Sequence, residues 1–180
     1  MTLKLTVVDQ SPVQGLPANV SPVALTVELA QACDRLGYHR YWLAEHHNSI
    51  NFAGPCPEIL ISHIASVTER IRVGSGGVML THYSPYKVAE QFSMLETLYP
   101  GRIDLGIGRA PGGDALASHA LAYPAQPGLE DYAEQAWLLQ NLLHHSLPED
   151  HPYQGLQVMP GQPAIPQTWM LGSSGGSAGL

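Results

Sequence analysis

Short apolar runs of strand character alternate with amphipathic helical segments along the 180-residue chain, and this alternation limits the fold more than any other feature. Strand-like runs lie at Leu3–Val8, Arg40–Ala44, Ile71–Leu80, Ile103–Ile107 and Thr168–Leu171. The first helix is signalled by Ser21 as N-cap and Pro22 at the first helical position, with Leu25, Leu29, Ala32, Cys33 and Leu36 at helical spacing and Gly37 as the stop. Pro57–Val67 reads as a second helix. Ser84-Pro85 repeats the cap-plus-proline start for a third, whose face is Val88, Phe92, Leu95 and Tyr99 and whose end is Pro100-Gly101. Tyr132, Ala136, Leu139 and Leu143 mark a fourth, and Ser173–Ser177 begins a fifth. Residues 110–128 and 144–167 read as long loops.

Repeated βα units imply an α/β fold with a parallel sheet and helical crossovers. Two architectures remain, an open doubly wound sheet and a TIM-like (β/α)8 barrel. Five strands would complete the first, whereas a barrel of typically ~250 residues would have only about five of its eight βα units here. Periodicity leaves both open. The run Ile103-Asp104-Leu105-Gly106-Ile107-Gly108 adds a clue, because its large residues alternate with Asp104, Gly106 and Gly108. A strand face of glycines means close backbone packing or room for a flat ligand.

Lys plus Arg number 8 against 15 Asp plus Glu, a formal charge of −7 without a basic run. Nucleic acid and anionic membrane surfaces are therefore poor partners. No apolar stretch approaches the ~20 residues of a membrane span, and Met1-Thr2-Leu3-Lys4-Leu5 carries no leader-like apolar region. Cys33 and Cys56 form neither a CxxC pair nor a disulfide framework. A cytoplasmic location is expected.

Several motifs are incomplete. Gly106-Ile107-Gly108-Arg109-Ala110-Pro111 starts as a dinucleotide fingerprint but has Pro111 where the third glycine belongs. Gly172-Ser173-Ser174-Gly175-Gly176 matches a nucleophile elbow, yet only four residues follow Gly176 and none is Asp, Glu or His, so a serine hydrolase fails on order. The same small residues fit an anion cradle at a helix start, or an ordinary cap. Glu45-His46-His47-Asn48 follows a strand, where parallel folds keep their chemistry. Adjacent histidines point apart there, which disfavours a shared metal, while one histidine beside a carboxylate suits proton transfer near neutral pH. Arg109, just past a strand, suits a phosphate or carboxylate clamp or a plain loop ion pair.

Taken together, Tyr41–Asn48, Val73–Leu80, Leu98–Gly112 and Leu171–Ser174 resemble the bacterial luciferase-like family of flavin-dependent monooxygenases. The resemblance implies a TIM-like barrel with FMN at the C-terminal ends of the strands, oxygenating a small organic substrate with O2 and with reduced flavin from a separate reductase. By position, His46 matches the family's catalytic histidine and Glu45 the neighbouring carboxylate near the flavin. Gly76-Gly77 falls where members carry a non-prolyl cis peptide under the flavin ring, and Arg109, Ser173, Ser174 and Ser177 fall in the segments that hold the FMN phosphate. It implies a homodimer through the outer helices. An F420-dependent oxidoreductase and a non-catalytic flavin-binding or dimer-forming remnant are the alternatives. Residues 1–180 are expected to form one incomplete barrel domain, either part of a longer product or completed by association.

Overall fold

The computed structural model describes residues 3–126, 128, 130–161 and 165–172. Its elements run β1 (Thr6–Asp9), α1 (Pro22–Arg35), β2 (Arg40–Leu43), α2 (Pro57–Ser66), β3 (Arg72–Met79), a 3-10 turn (Leu80–His82), α3 (Pro85–Leu98), β4 (Ile103–Gly108), α4 (Ala115–Ala122), α5 (Tyr132–His144) and β5 (Gln167–Met170). Both serine caps form: the Ser21 hydroxyl accepts from the Ala24 amide at 3.3 Å and that of Ser84 from the Lys87 amide at 3.5 Å.

All five strands are parallel, in the order β1-β2-β3-β4-β5. A doubly wound sheet reverses its order at a switch point. No reversal occurs here, so the sheet is of barrel type, built from five consecutive βα units. Crossovers between parallel strands are right-handed, and a sheet that never reverses therefore receives its helices on one face. That face is the core: Tyr41, Leu43, Val73, Ile103, Leu105 and Ile107 are at most 2 % exposed and pack with Ile61 and Ile64 of α2, Phe92 of α3 and Leu139 of α5. Each such side chain contributes roughly 1.5–3 kcal/mol of burial. The opposite face is open, with Val8 63 % and Trp169 42 % exposed.

Two expectations are corrected. The first strand starts at Thr6 rather than Leu3, because ladder pairing begins only where β2 does, with Thr6 opposite Arg40. Residues 110–128 are not one long loop. The Asp114 carboxylate accepts from the Ala117 amide at 2.8 Å and caps α4, an alanine-rich turn of helix that lacks the wide apolar stripe by which helices are usually read. The helix start expected at Ser173–Ser177 lies outside the described residues.

On the open face, Asp104 of β4 is fully buried beneath charged and aromatic groups. Its Oδ2 accepts from Arg40 Nε and Arg72 Nε, both at 3.0 Å, and its Oδ1 from Arg72 Nη2 at 2.8 Å and Trp169 Nε1 at 3.2 Å. Arg40 also donates to Gln167 Oε1 at 2.7 Å and lies 4.8 Å from the Trp169 ring centre.

A second carboxylate secures the α2–β3 connection. Asp34, at the end of α1, accepts from the Glu69, Arg70 and Ile71 amides at 2.9, 3.1 and 2.8 Å. Burial works to raise its pKa, but these amides and the Arg70 charge together hold it below the ordinary value. Replacing Asp34 by Ala is expected to cost about 2–3 kcal/mol of unfolding free energy. Because the folded pKa lies below the unfolded one, the stabilisation is complete above roughly pH 4 and is lost as the pH falls through the folded value. Urea unfolding of both proteins across pH 3–7 tests this, the difference between them shrinking toward the acid end.

Candidate active site

The chain leaving β2 carries Ala44-Glu45-His46-His47, and successive side chains take opposite sides. Glu45, 1 % exposed, turns inward under the 3-10 turn. Its Oε1 accepts from His47 Nε2 at 2.7 Å and from the Tyr83 hydroxyl at 2.6 Å, and its Oε2 from the Met79 amide at 3.1 Å. Burial, then the Glu45 charge, pushes the Tyr83 phenol far up, so Tyr83 stays protonated and donates.

His46 takes the other side. Its ring stacks on Phe52, with ring centres 4.4 Å apart and planes at 27°, and its Nε2 is buried without a hydrogen-bond partner. Burial lowers its pKa and the neighbouring His47 lowers it further, while Glu45 opposes both. The imidazole is therefore neutral at pH 7 and able to hold or accept one proton. Phe52 is fixed by a zipper between the β2–α2 and β1–α1 loops: it pairs with Pro12, the Val13 amide donates to Asn51 O at 2.8 Å and the Ala53 amide to Ser11 O at 2.9 Å. Asn48, in the left-handed region at φ 49°, donates through its side chain to Asp114 at 2.9 Å. An open cleft of about 490 Å³ follows these groups, bounded by His46, Ile50, Phe52, Gly112 and Asp114.

Toward the C-terminal end of β3 and β4, Gly76, Gly77 and Gly106 pack close to their neighbours, Gly77 and Gly106 being buried. The Gly76–Gly77 peptide is cis. A Cβ on Gly77 would lie 2.8 Å from the Gly106 carbonyl oxygen and 2.9 Å from Leu171 Cδ1, and one on Gly76 would lie 3.1 Å from Trp42 Cβ. Arg109 is exposed just beyond β4, and its charge works to lower the pKa of Tyr132, where burial, the larger effect, raises it. The buried Tyr132 hydroxyl has no partner. Ser173, Ser174 and Ser177 lie outside the described residues. No group of three His, Cys, Asp or Glu side chains suited to a metal ion occurs among the described residues, and among them no helix is long and apolar enough to cross a membrane.

The structure thus brings His46, Gly76, Gly77 and Arg109 to one end of the sheet and gives Glu45 to His47, not to His46. The sequence reading missed His47, Phe52, Tyr83 and Tyr132. Strand alternation carries the signal for His47, since residues 45 and 47 share a side, whereas the others are brought in by tertiary packing.

A parallel, unreversed five-stranded sheet built from consecutive βα units defines a barrel-type α/β fold. The chain belongs to the luciferase-like monooxygenase family, which matches residues 3–180. It is 51 % identical over 176 residues to the uncharacterised protein YwcH and 42 % identical over 176 residues to N-acetyl-S-alkylcysteine monooxygenase, both of Bacillus subtilis, matching 98 % of this chain and 53 % of each relative. The crystal structure of apo-MsnO8 superposes with a TM-score of 0.85 at 47 % identity, over 98 % of this chain and 52 % of that one. The oxygenating constituent of 3,6-diketocamphane monooxygenase from Pseudomonas putida, in complex with FMN, shares the fold at 24 % identity and TM-score 0.67, over 78 % of this chain and 39 % of its own. An F420-dependent secondary alcohol dehydrogenase shares it at 13 % and 0.73, over 94 % and 52 %. The chain spans about half the length of the curated relatives it matches.

The stacked, desolvated environment of His46 leads to a prediction. Its ring is expected to titrate below the ordinary histidine value of about 6.5, and Phe52→Ala, by admitting water, should move the midpoint back up. Ring-proton NMR across pH 4–8 reads both, and an ordinary midpoint in the parent protein would contradict the burial argument.

Proposed function

We propose that the chain is the cofactor-binding portion of a flavin-dependent monooxygenase, an oxidoreductase that uses reduced FMN and O2 to oxygenate a small organic substrate. The observation that carries this reading is the neutral His46 imidazole, its Nε2 buried without a partner, at the same end of the sheet as the Gly76–Gly77 peptide. The residues present fit the cofactor. Gly76, half-buried, puts no side chain in the way of a flat ligand, while Leu171 packs over Gly77 and Gly106. His46 Nε2 and the Tyr132 hydroxyl are buried polar atoms still in want of partners, and Arg109 is an exposed cation suited to a phosphate.

Bound flavin would supply the reduction of O2 and the delivery of one oxygen atom. His46 holds or accepts a proton at Nε2 beside the reacting group, and Phe52 keeps bulk water off that imidazole. Arg109 binds the phosphate, joined by Ser173, Ser174 and Ser177. Glu45, the carboxylate near the flavin, has both oxygens occupied by protein donors and acts by holding the surroundings of the cofactor. FMN is favoured over F420 by family membership, and the shared fold of the F420-dependent enzyme keeps that cofactor as the comparison titrant.

The reading extends to one domain over residues 1–180, a cytoplasmic location, a separate flavin reductase and a homodimer. The groove between α2 and α3, with Ile59, Met94 and Leu98 at 65, 49 and 55 % exposure, supports the dimer.

Titrating the protein with FMN, riboflavin and F420, with fluorescence as readout, tests the cofactor assignment. Arg109→Ala should weaken FMN binding by about 1.5–3 kcal/mol, roughly 10- to 150-fold, through loss of a charge-assisted phosphate contact. Riboflavin, which has no phosphate, should be unaffected. Equal FMN affinity in both proteins would remove Arg109 from the site, and no binding of any flavin would overturn the proposal.

A further inference from the structure

Three separate segments carry the groups assigned to the cofactor: the β2 exit with His46, β3 with Gly76-Gly77, and the β4–α4 connection with Arg109. All three meet at one buried point that lies outside the proposed cofactor surface. Glu45 joins the first two, because its Oε1 holds His47 and Tyr83 while its Oε2 holds the Met79 amide two residues beyond Gly77. His47 joins the third, its backbone amide donating to the Gly112 carbonyl at 2.9 Å. The packing leaves no slack. Gly112 sits at φ +62°, and a Cβ there would lie 2.9 Å from Met79 Cγ and 3.1 Å from the Glu45 carbonyl oxygen; one on Gly113 would lie 2.9 Å from the His47 carbonyl oxygen.

The donors are also fully committed. His47 Nε2 must carry a hydrogen to satisfy Glu45, and the Tyr83 hydroxyl gives its own hydrogen to the same oxygen. The 3.2 Å contact between Tyr83 and His47 then leaves the phenol oxygen as a secondary acceptor. The Nε2 hydrogen of His47 and the hydroxyl hydrogen of Tyr83 are thus both committed to Glu45.

We infer that His47 and Tyr83 are positioning residues: by clamping Glu45 they lock the His46 loop, the segment following Gly76-Gly77 and the Arg109 loop into one rigid frame. The inference rests on the flavin-site reading above. A frame of this kind matters because cofactor affinity requires groups on independent loops to be held in place before binding, and loops left free must be ordered at the moment of binding.

The test uses Tyr83→Phe, His47→Ala and His47→Gln, the last retaining an amide N–H donor. Two readouts are taken on each variant and on the parent chain: hydrogen exchange of the Met79 amide without ligand, and the dissociation constant for FMN with the visible spectrum of the bound flavin. In Tyr83→Phe and His47→Ala, Met79 exchange should quicken and FMN affinity fall, each by about tenfold, the loss of one hydrogen bond to a buried carboxylate. The bound-flavin spectrum should shift with them, and His47→Gln should restore both readouts to within about threefold. Tyr83→Phe removes a single oxygen atom and keeps the test open if His47→Ala fails to fold. Unchanged Met79 exchange in Tyr83→Phe would overturn the lock. Faster exchange with unchanged FMN affinity and spectrum would show a merely structural network and overturn the positioning role. A parent chain that binds no flavin would overturn the functional reading and the positioning role with it, and Met79 exchange would still decide whether the lock exists.

Discussion

The Asp104 carboxylate ties four of the five strands together. It accepts from Arg40 on β2, Arg72 on β3 and Trp169 on β5, and itself sits on β4. A carboxylate has about four lone-pair sites, and four donors fill them. Withdrawing its charge from water is costly, and only near-complete pairing offsets that cost. The consequence is register. Arg40 stands opposite Arg72, and Asp104 opposite Gln167, so a slip of one residue on any of these strands would turn a charged group into the apolar core and an apolar one onto the open face. Gly76, Gly77 and Gly106 share a surface because this cluster fixes which side each strand presents.

The open face is accordingly graded along the strands. Charge sits at the N-terminal end, with Arg40, Arg72 and Asp104. Trp42 and Trp169 come next, in edge-to-face contact with centroids 5.6 Å apart. Glycines follow toward the C-terminal end, with Leu171 packed over Gly77 and Gly106. In barrel-type folds the first end serves stability and the last serves chemistry. A polar floor followed by an aromatic layer separates the two, so loops at the catalytic end can vary without disturbing what holds the strands in place.

Much of this was legible in the residues. The Ser-Pro starts at residues 21–22 and 84–85 fixed α1 and α3 because a cap and a proline act locally. The alternation in Ile103–Gly108 displayed a glycine face because strand geometry has period two. Periodicity did not decide between barrel and doubly wound sheet, since strand order is set by long-range pairing that leaves no mark on it; the motifs resembling the luciferase-like family did, and the strand order agrees. Helix α4 escaped notice because Ala115–Ala122 has little amphipathic contrast and its cap lies among glycines and prolines that read as loop. Glu45 and His46 stood out as neighbours in sequence, yet the chain turns them to opposite sides. The true partners of Glu45 are one residue further on and 38 residues away, at Tyr83.

The buried carboxylates and the buried histidine obey one rule with opposite outcomes. Asp104 takes four donors and Glu45 three, and well-paired polar groups rigidify what they join. His46 Nε2 has none, and an unpaired buried polar atom carries a penalty of about 1–3 kcal/mol. Among the described residues, the other side-chain atoms buried without partners are Thr81 Oγ1, His82 Nδ1, Tyr132 OH, Gln135 Oε1 and Glu96 Oε2. All but Glu96 lie at the C-terminal end of the sheet, in the 3-10 turn after β3 or the first turn of α5. Were these defects of packing, they would be scattered through the molecule. Their gathering at the end that carries His46 and the Gly76–Gly77 peptide supports the proposal that these polar groups are arranged for a ligand and not for one another.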